Sequence, residues 1–107
     1  MDANRFATHS LNDERVLRIL SAALEAVDPY QAVQKYIPQL AGRVYGLAIG
    51  KASIPMLTAL AEAYPLSGAL AISKHASSLS RNLFTIFLGS HPIPDSRSLE
   101  AGTRVLD

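Results

Sequence analysis

The sequence predicts an α/β domain in which helices are layered against a mostly parallel sheet, led by an N-terminal helical pair and incomplete as a domain. Two observations carry this. Apolar runs of strand length at residues 44–49, 68–73 and 83–88 lack the in-out alternation of half-exposed strands, the pattern of strands covered on both faces. Helically spaced segments surround them in the order helix, helix, strand, helix, strand, strand, helix, which suits parallel pairing with helical crossovers.

The first helix is predicted over residues 13–27, with Asn12 as its cap and Val16, Leu17, Leu20, Leu24 and Val27 as its apolar stripe. Asp28 and Pro29 end it and start a shorter helix, because aspartate caps well and proline fits the first helical position. Its buried face is expected to be Val33, Tyr36 and Ile37. Residues 38–43 lead to the first strand, 44–49, and residues 50–53 form the turn after it. In the next helix Ile54, Leu57, Leu60, Ala61 and Tyr64 share a face, Pro55 is tolerated in the first turn, and Pro65 closes the element. Residues 74–81 are a polar connection, short for a parallel crossover, so the pairing of the third strand stays open. The last helix starts near Asp95 or Ser96 and is expected to bury Leu99, Thr103 and Leu106. The chain runs out inside that helix without a stop signal, which suggests that the natural protein continues.

Composition narrows the function classes. With 107 residues, one core or part of one is the limit. Charged residues make up 18% and nearly cancel to +1, and the basic residues are scattered, so neither nucleic acid nor an acidic membrane is an expected partner. The absence of cysteine excludes disulfides and thiolate chemistry, and His9, His75 and His91 are too dispersed in sequence to suggest a metal site. No secretory signal and no apolar stretch of membrane-spanning length is present, so a cytoplasmic location is expected.

Two segments could carry chemistry. In VYGLAIGKA, residues 44–52, Lys51 follows a strand end and precedes a helix N-terminus, where unpaired N–H groups and the helix dipole favour a phosphate or carboxylate. Gly50, Ala52 and Ser53 complete that turn. It is neither a P-loop nor GxGxxG, and on the local pattern alone a plain turn with a solvated lysine is the commoner outcome. In HPIPD, residues 91–95, Pro92 and Pro94 fix two φ angles and present His91 and Asp95 reproducibly. His91 suits hydrogen bonding to a substrate hydroxyl or carboxylate; Asp95 suits holding a metal, a base position or another loop, or capping a helix, or both. Lys74 and His75 read as a polar loop, Met56 as core, and Ser77, Ser78 and Ser80 have no histidine and acid partners at a spacing that would make a nucleophile.

These residues resemble the N-terminal part of the type II glycerate kinases, the glycerate 2-kinases whose full-length members carry a C-terminal MOFRL domain. The resemblance rests on ALEAVDP at 23–29, on Gly50, Lys51 and Ala52 followed by Met56, and on His91, Pro92, Pro94 and Asp95, in that order. Ile49 and Ser90 depart from residues common before the lysine motif's glycine and before the histidine. The resemblance implies that residues 1–107 are the N-terminal part of a Rossmann-like α/β domain, with the MOFRL domain absent. It further implies ATP-dependent phosphorylation of D-glycerate to 2-phosphoglycerate with Mg2+, between two domains. Lys51 matches a functionally important lysine, whose role would be electrostatic in a transfer that depends on positioning and charge neutralisation. Gly50, Ala52, Ser53, His91 and Asp95 would contact substrate or phosphate, no residue would ligate a metal, and this stretch alone would be inactive. Self-association stays open. The rival readings are hydroxypyruvate reductase, a label that relatives carry, and a non-catalytic module binding an anionic metabolite. The lack of a glycine-rich dinucleotide turn disfavours the reductase.

Overall fold

The computed structural model describes residues 2–75 and 83–107. A 3-10 turn at Ala3–Phe6 precedes α1 (Glu14–Ala26), α2 (Pro29–Tyr36), β1 (Tyr45–Ile49), α3 (Ser53–Ala63), β2 (Gly68–Ser73), β3 (Thr85–Leu88) and α4 (Ser96–Leu106). The three strands form one sheet in the order β1-β2-β3, and both pairings are parallel. The third strand therefore pairs with its sequence neighbour, which settles the pairing left open above. Most of the polar connection expected at 74–81, including Ser77, Ser78 and Ser80, lies outside the described residues.

Local chemistry explains the element boundaries. The carboxylate of Asp13, not the side chain of Asn12, caps α1 by accepting from the N–H groups of Arg15 and Val16 at 2.9 and 3.5 Å. Asp28 caps α2 by accepting from the Gln31 N–H at 2.9 Å, with Pro29 in the first helical position, where a missing N–H costs nothing. The Tyr64 hydroxyl donates to the Pro38 carbonyl and accepts from the Leu40 N–H, which ties the connection ahead of β1 to the end of α3. The Tyr30 hydroxyl likewise donates to Glu62 and holds α2 against α3.

The core lies on one side of the sheet. Leu57, Ala71 and Phe84 are its buried centre, surrounded by Ala48, Ile54, Leu60, Ala61, Leu66, Ala69 and Ile86. Gly46 lets α3 approach β1, since a Cβ at that position would lie 2.5 Å from Leu57 Cδ1. The other face of β1 differs from the expectation of two covered faces. Tyr45, Leu47 and Ile49 are 67%, 54% and 67% exposed. A strand buried on both sides needs a layer on each side, and α3 supplies only one; α1 packs on the N-terminal 3-10 turn instead.

The same principle corrects three helical faces. In α1 Leu17 and Ser21 are buried and Leu20 is half-buried, whereas Val16, Leu24 and Val27 are exposed because no sheet lies beneath them. In α2 Tyr36 is exposed, and Val33 provides the inward contact. In α4 the inward residues are Ser98, Ala101 and Val105, one helical stripe, whereas Leu99, Thr103 and Leu106 point to solvent. The Ser90 N–H donates to Ser98 Oγ and so ties that inward stripe to the loop that leaves β3. Among the described residues no helix is long and apolar enough to cross a membrane.

Candidate functional site

Parallel strands end on a common edge, and their loops gather there. The register Ile49↔Ile72 and Ser73↔Leu88 brings the ends of β1, β2 and β3 level to within about a residue. The turn after β1 and the loop after β3 are separated by β2, thus by two strand spacings, or about 10 Å.

The first turn is set by its backbone. Gly50 adopts a φ of +113°, a region that side-chain-bearing residues rarely enter. Its N–H donates to the Ile72 carbonyl at 2.9 Å, and its own carbonyl accepts from the Ser53 N–H at 3.2 Å. The Ser53 hydroxyl, buried, donates to the same Ile72 carbonyl at 3.2 Å. Gly50 and Ser53 thus fasten both sides of the turn to the end of β2. Lys51 stands exposed between them and makes no ion pair among the described residues. Ala52 is the residue before α3, and no side chain caps that helix. The Ser53 N–H is held by the Gly50 carbonyl and Pro55 has none, so this start offers an approaching group the helix dipole and not a ring of free N–H donors. With Lys51 alongside, the arrangement suits an anionic oxygen.

At the end of β2 the buried Ser73 hydroxyl accepts from the His75 N–H at 3.3 Å, and Lys74 and His75 are exposed. The Ser73 carbonyl accepts from Gly89 N–H at 2.9 Å and so links β2 to the start of the third loop. In that loop the His91–Pro92 peptide is cis and His91 is exposed. Asp95 caps α4: one carboxylate oxygen accepts from the N–H groups of Arg97 and Ser98 at 3.0 and 3.3 Å, the other from the Arg97 guanidinium at 3.0 and 3.1 Å. The Arg97 side chain, with the backbone N–H groups in support, holds the Asp95 carboxyl below the usual aspartate range. Ser98 completes a capping box by accepting from the Asp95 N–H, and it also accepts from Ser90 N–H at 3.1 Å.

The structure therefore gathers Gly50, Lys51, Ala52 and Ser53 into one turn and places His91 and Asp95 on the loop after β3, two strands away along the same edge. Sequence reasoning missed Ser98 and Ser73. Asp95-x-x-Ser98 lacks the Glu or Gln of the usual capping-box signal, so Asp95 was visible as a cap but Ser98 was not; a short serine inside an apolar strand gave no signal for the second. A groove of about 290 Å3 runs beside β1 and α3, lined by Val33, Leu47, Met56 and Leu60 among others. It is apolar, holds neither Lys51 nor His91, and only its end at Ile49 and Ser53 reaches the lysine turn. Met56 thus lines a groove instead of filling a core.

Comparison with known proteins sets this edge in context. A family profile described as Domain of unknown function (DUF4147) matches residues 15–107. The chain belongs to the DUF4147 family. It is 30% identical over 96 residues to the glycerate 2-kinase of Pyrococcus horikoshii, covering 78% of this chain and 22% of the kinase. It is 31% identical over 106 residues to an Agrobacterium vitis protein that bears the provisional label hydroxypyruvate reductase, covering 94% of this chain and 24% of that protein. The crystal structure of the PH0495 protein from Pyrococcus horikoshii superimposes with a TM-score of 0.71 at 27% identity, over 84% of this chain and 24% of that one. That agreement bears out the α/β architecture with its parallel sheet as a partial Rossmann-like domain. This DUF4147 chain spans about a quarter of the length of those relatives.

Proposed function

We propose that this chain supplies the phosphate-handling strand edge of a glycerate 2-kinase, which transfers the γ-phosphoryl group of ATP to the 2-hydroxyl of D-glycerate when the protein is full length. The observation that carries the reading is Lys51, exposed and without an ion pair among the described residues, at the uncapped start of α3. A loose phosphoryl-transfer transition state spreads charge over its oxygens and is accelerated mainly by positioned positive charge. Lys51 provides that charge. The start of α3, with Ala52 and Ser53 beside the bound anion, adds its helix dipole, the Ser53 N–H itself being held by the Gly50 carbonyl, and Gly50 gives the turn its close approach to the substrate. His91 hydrogen-bonds the hydroxyacid, and Asp95 keeps the loop that carries His91 in place.

Among the described residues no three His, Asp or Glu side chains are grouped to hold a metal ion, and both carboxylate oxygens of Asp95 are engaged by Arg97 and Ser98. The residues present do not fit a magnesium site, and no step here runs through one. The rest of the active site, with the MOFRL domain, belongs in this reading to the remainder of a cytoplasmic protein, so the chain by itself turns over no substrate.

The test is an assay of the full-length protein and of this chain for ATP-dependent phosphorylation of D-glycerate, with the phosphate position of the product determined. Activity in the full-length protein alone, lost in Lys51→Met, is the expected result. Glycerate-dependent ATP consumption by the isolated chain would contradict the division of the site between two domains. The label of the Agrobacterium vitis relative motivates one rival assay, NADH-dependent reduction of hydroxypyruvate by the full-length protein; reduction without kinase activity would replace the proposal. Inactivity in both assays would leave a module that binds an anionic metabolite.

A further inference from the structure

We propose that Ser98 is a positioning residue that holds His91 in register with the hydroxyacid, an inference that rests on the kinase reading above. The loop over residues 90–95 leaves β3 and enters α4, and its two ends converge on one atom. Ser98 Oγ accepts from the Ser90 N–H at 3.1 Å and from Asp95 N–H at 3.3 Å. A serine hydroxyl oxygen has two lone pairs, so both are used, one for each end of the loop. The bond to Asp95 is the ordinary reciprocal half of a capping box. The bond to Ser90 is additional. It crosses from the helix to the residue immediately before His91 and clamps the loop shut across its mouth.

The prolines make that clamp consequential. Pro92 and Pro94 restrict φ at their own positions and donate no N–H, so the interior of the loop has few hydrogen bonds to lose, and its geometry follows from how its ends are held. His91 is the first residue inside the clamp and is exposed. Upstream, the Gly89 N–H is fixed to the Ser73 carbonyl at 2.9 Å, so both residues before His91 are held, Gly89 by the sheet and Ser90 by Ser98, and the loop is next held at the Asp95 N–H. Ser98 touches neither substrate nor the reacting atoms in this scheme. It acts through the backbone that carries the imidazole.

The experiment compares Ser98→Ala and Ser98→Thr in the full-length protein, with KM and kcat measured separately for each substrate per folded enzyme. Ser98→Ala is expected to raise the KM for D-glycerate about tenfold, corresponding to about 1.4 kcal/mol, and to leave the KM for ATP unchanged. Ser98→Thr keeps the hydroxyl and is expected to return the KM to near the wild-type value. A purely structural serine would lower the thermal midpoint with the glycerate KM unmoved, and that result overturns the proposal, as does failure of threonine to rescue. Hydrogen exchange at the Ser90 amide gives a readout independent of activity. Protection that is lost in Ser98→Ala in a protein with no kinase activity would leave the clamp standing and sink the kinase reading instead. An unprotected Ser90 amide in the wild type would remove the clamp itself.

Discussion

The turn after β1 reverses the chain over residues 50–52 through one backbone torsion, the φ of +113° at Gly50, whereas the loop after β3 takes residues 90–95 and two prolines to make its connection. The helix that follows the turn has no side-chain cap; the helix that follows the loop has a complete capping box reinforced by an arginine. These differences place charge and order in different hands. In the turn the polar anchors are spent within the fold, the Gly50 N–H and Ser53 hydroxyl on the Ile72 carbonyl and the Ser53 N–H on the Gly50 carbonyl, and Lys51 is the group turned to solvent. In the loop the carboxylate and the serine are spent on holding the backbone, and His91 is the group presented outward. In the proposed reaction Lys51 on the first supplies positive charge and His91 on the second a directional contact.

The largest expected effect comes from removing the charge. Lys51→Met in the full-length protein is expected to lower kcat/KM for glycerate phosphorylation by about two orders of magnitude or more, in line with the loss of one preorganised electrostatic contact. His91→Ala, which removes a single hydrogen bond in the proposed scheme, is expected to cost about tenfold. Both side chains are exposed, so thermal midpoints should stay near the wild-type value. An equal loss for the two variants would erase the proposed division between turn and loop.

The next effect separates backbone from side chain. Gly50→Val forces a β-branched residue into a positive φ and is expected to destabilise the fold by about 1–3 kcal/mol or to shift the turn. Ser53→Ala removes the hydroxyl bond to Ile72 but leaves that carbonyl its bond from Gly50, so a smaller loss of about 1 kcal/mol is expected. Denaturant midpoints on this chain would rank the two. A larger loss for Ser53→Ala than for Gly50→Val would mean that the hydroxyl, and not the glycine torsion, shapes the turn.

The sequence showed the fold where the signal was local and periodic. Asp28-Pro29 marked the start of α2, Asp95 the start of α4, and the apolar runs marked the strands, since caps and strand patterns act within a few residues. It misled where burial depends on what lies opposite. Tyr45, Leu47 and Ile49 read as residues covered on both faces, yet only the face with Gly46 and Ala48 meets α3. Composition records that a residue is apolar; the layer that covers it is a property of the whole assembly. Leu99 and Leu106 failed for a related reason: α4 turns Ser98, Ala101 and Val105 inward, with Ser98 Oγ accepting from the Ser90 N–H, and nothing among the described residues covers the leucine side. Lys51 and His91 were visible as residue types after strand ends. That Gly50 and Ser53 would share one carbonyl of β2 required the strand pairing, which no local pattern contains.

The smallest effect tests the ordered loop through its titration. Asp95 has its pKa lowered, first by the Arg97 side chain and further by the backbone N–H groups of Ser98 and Arg97. A carboxyl whose pKa is lower in the folded state than in the unfolded one binds its proton less readily when folded, so its contribution to stability is fully present above the ordinary aspartate range and is lost as pH falls through the lowered value. Asparagine can still accept from the Ser98 and Arg97 N–H groups, since it caps as well as aspartate, but it carries no charge for Arg97 and does not titrate. The wild type should therefore be slightly more stable than Asp95→Asn at neutral pH, and the gap should close on acidification below about pH 4. The pair is exposed, so added salt should narrow the gap at neutral pH as well. The turn after β1 has no equivalent carboxylate, and Lys51→Met should show no such closure over the same range. A wild-type to Asp95→Asn difference that stays constant from pH 7 down to about 3 would show that the cap acts through hydrogen bonding alone and that Arg97 contributes nothing to the order of the loop.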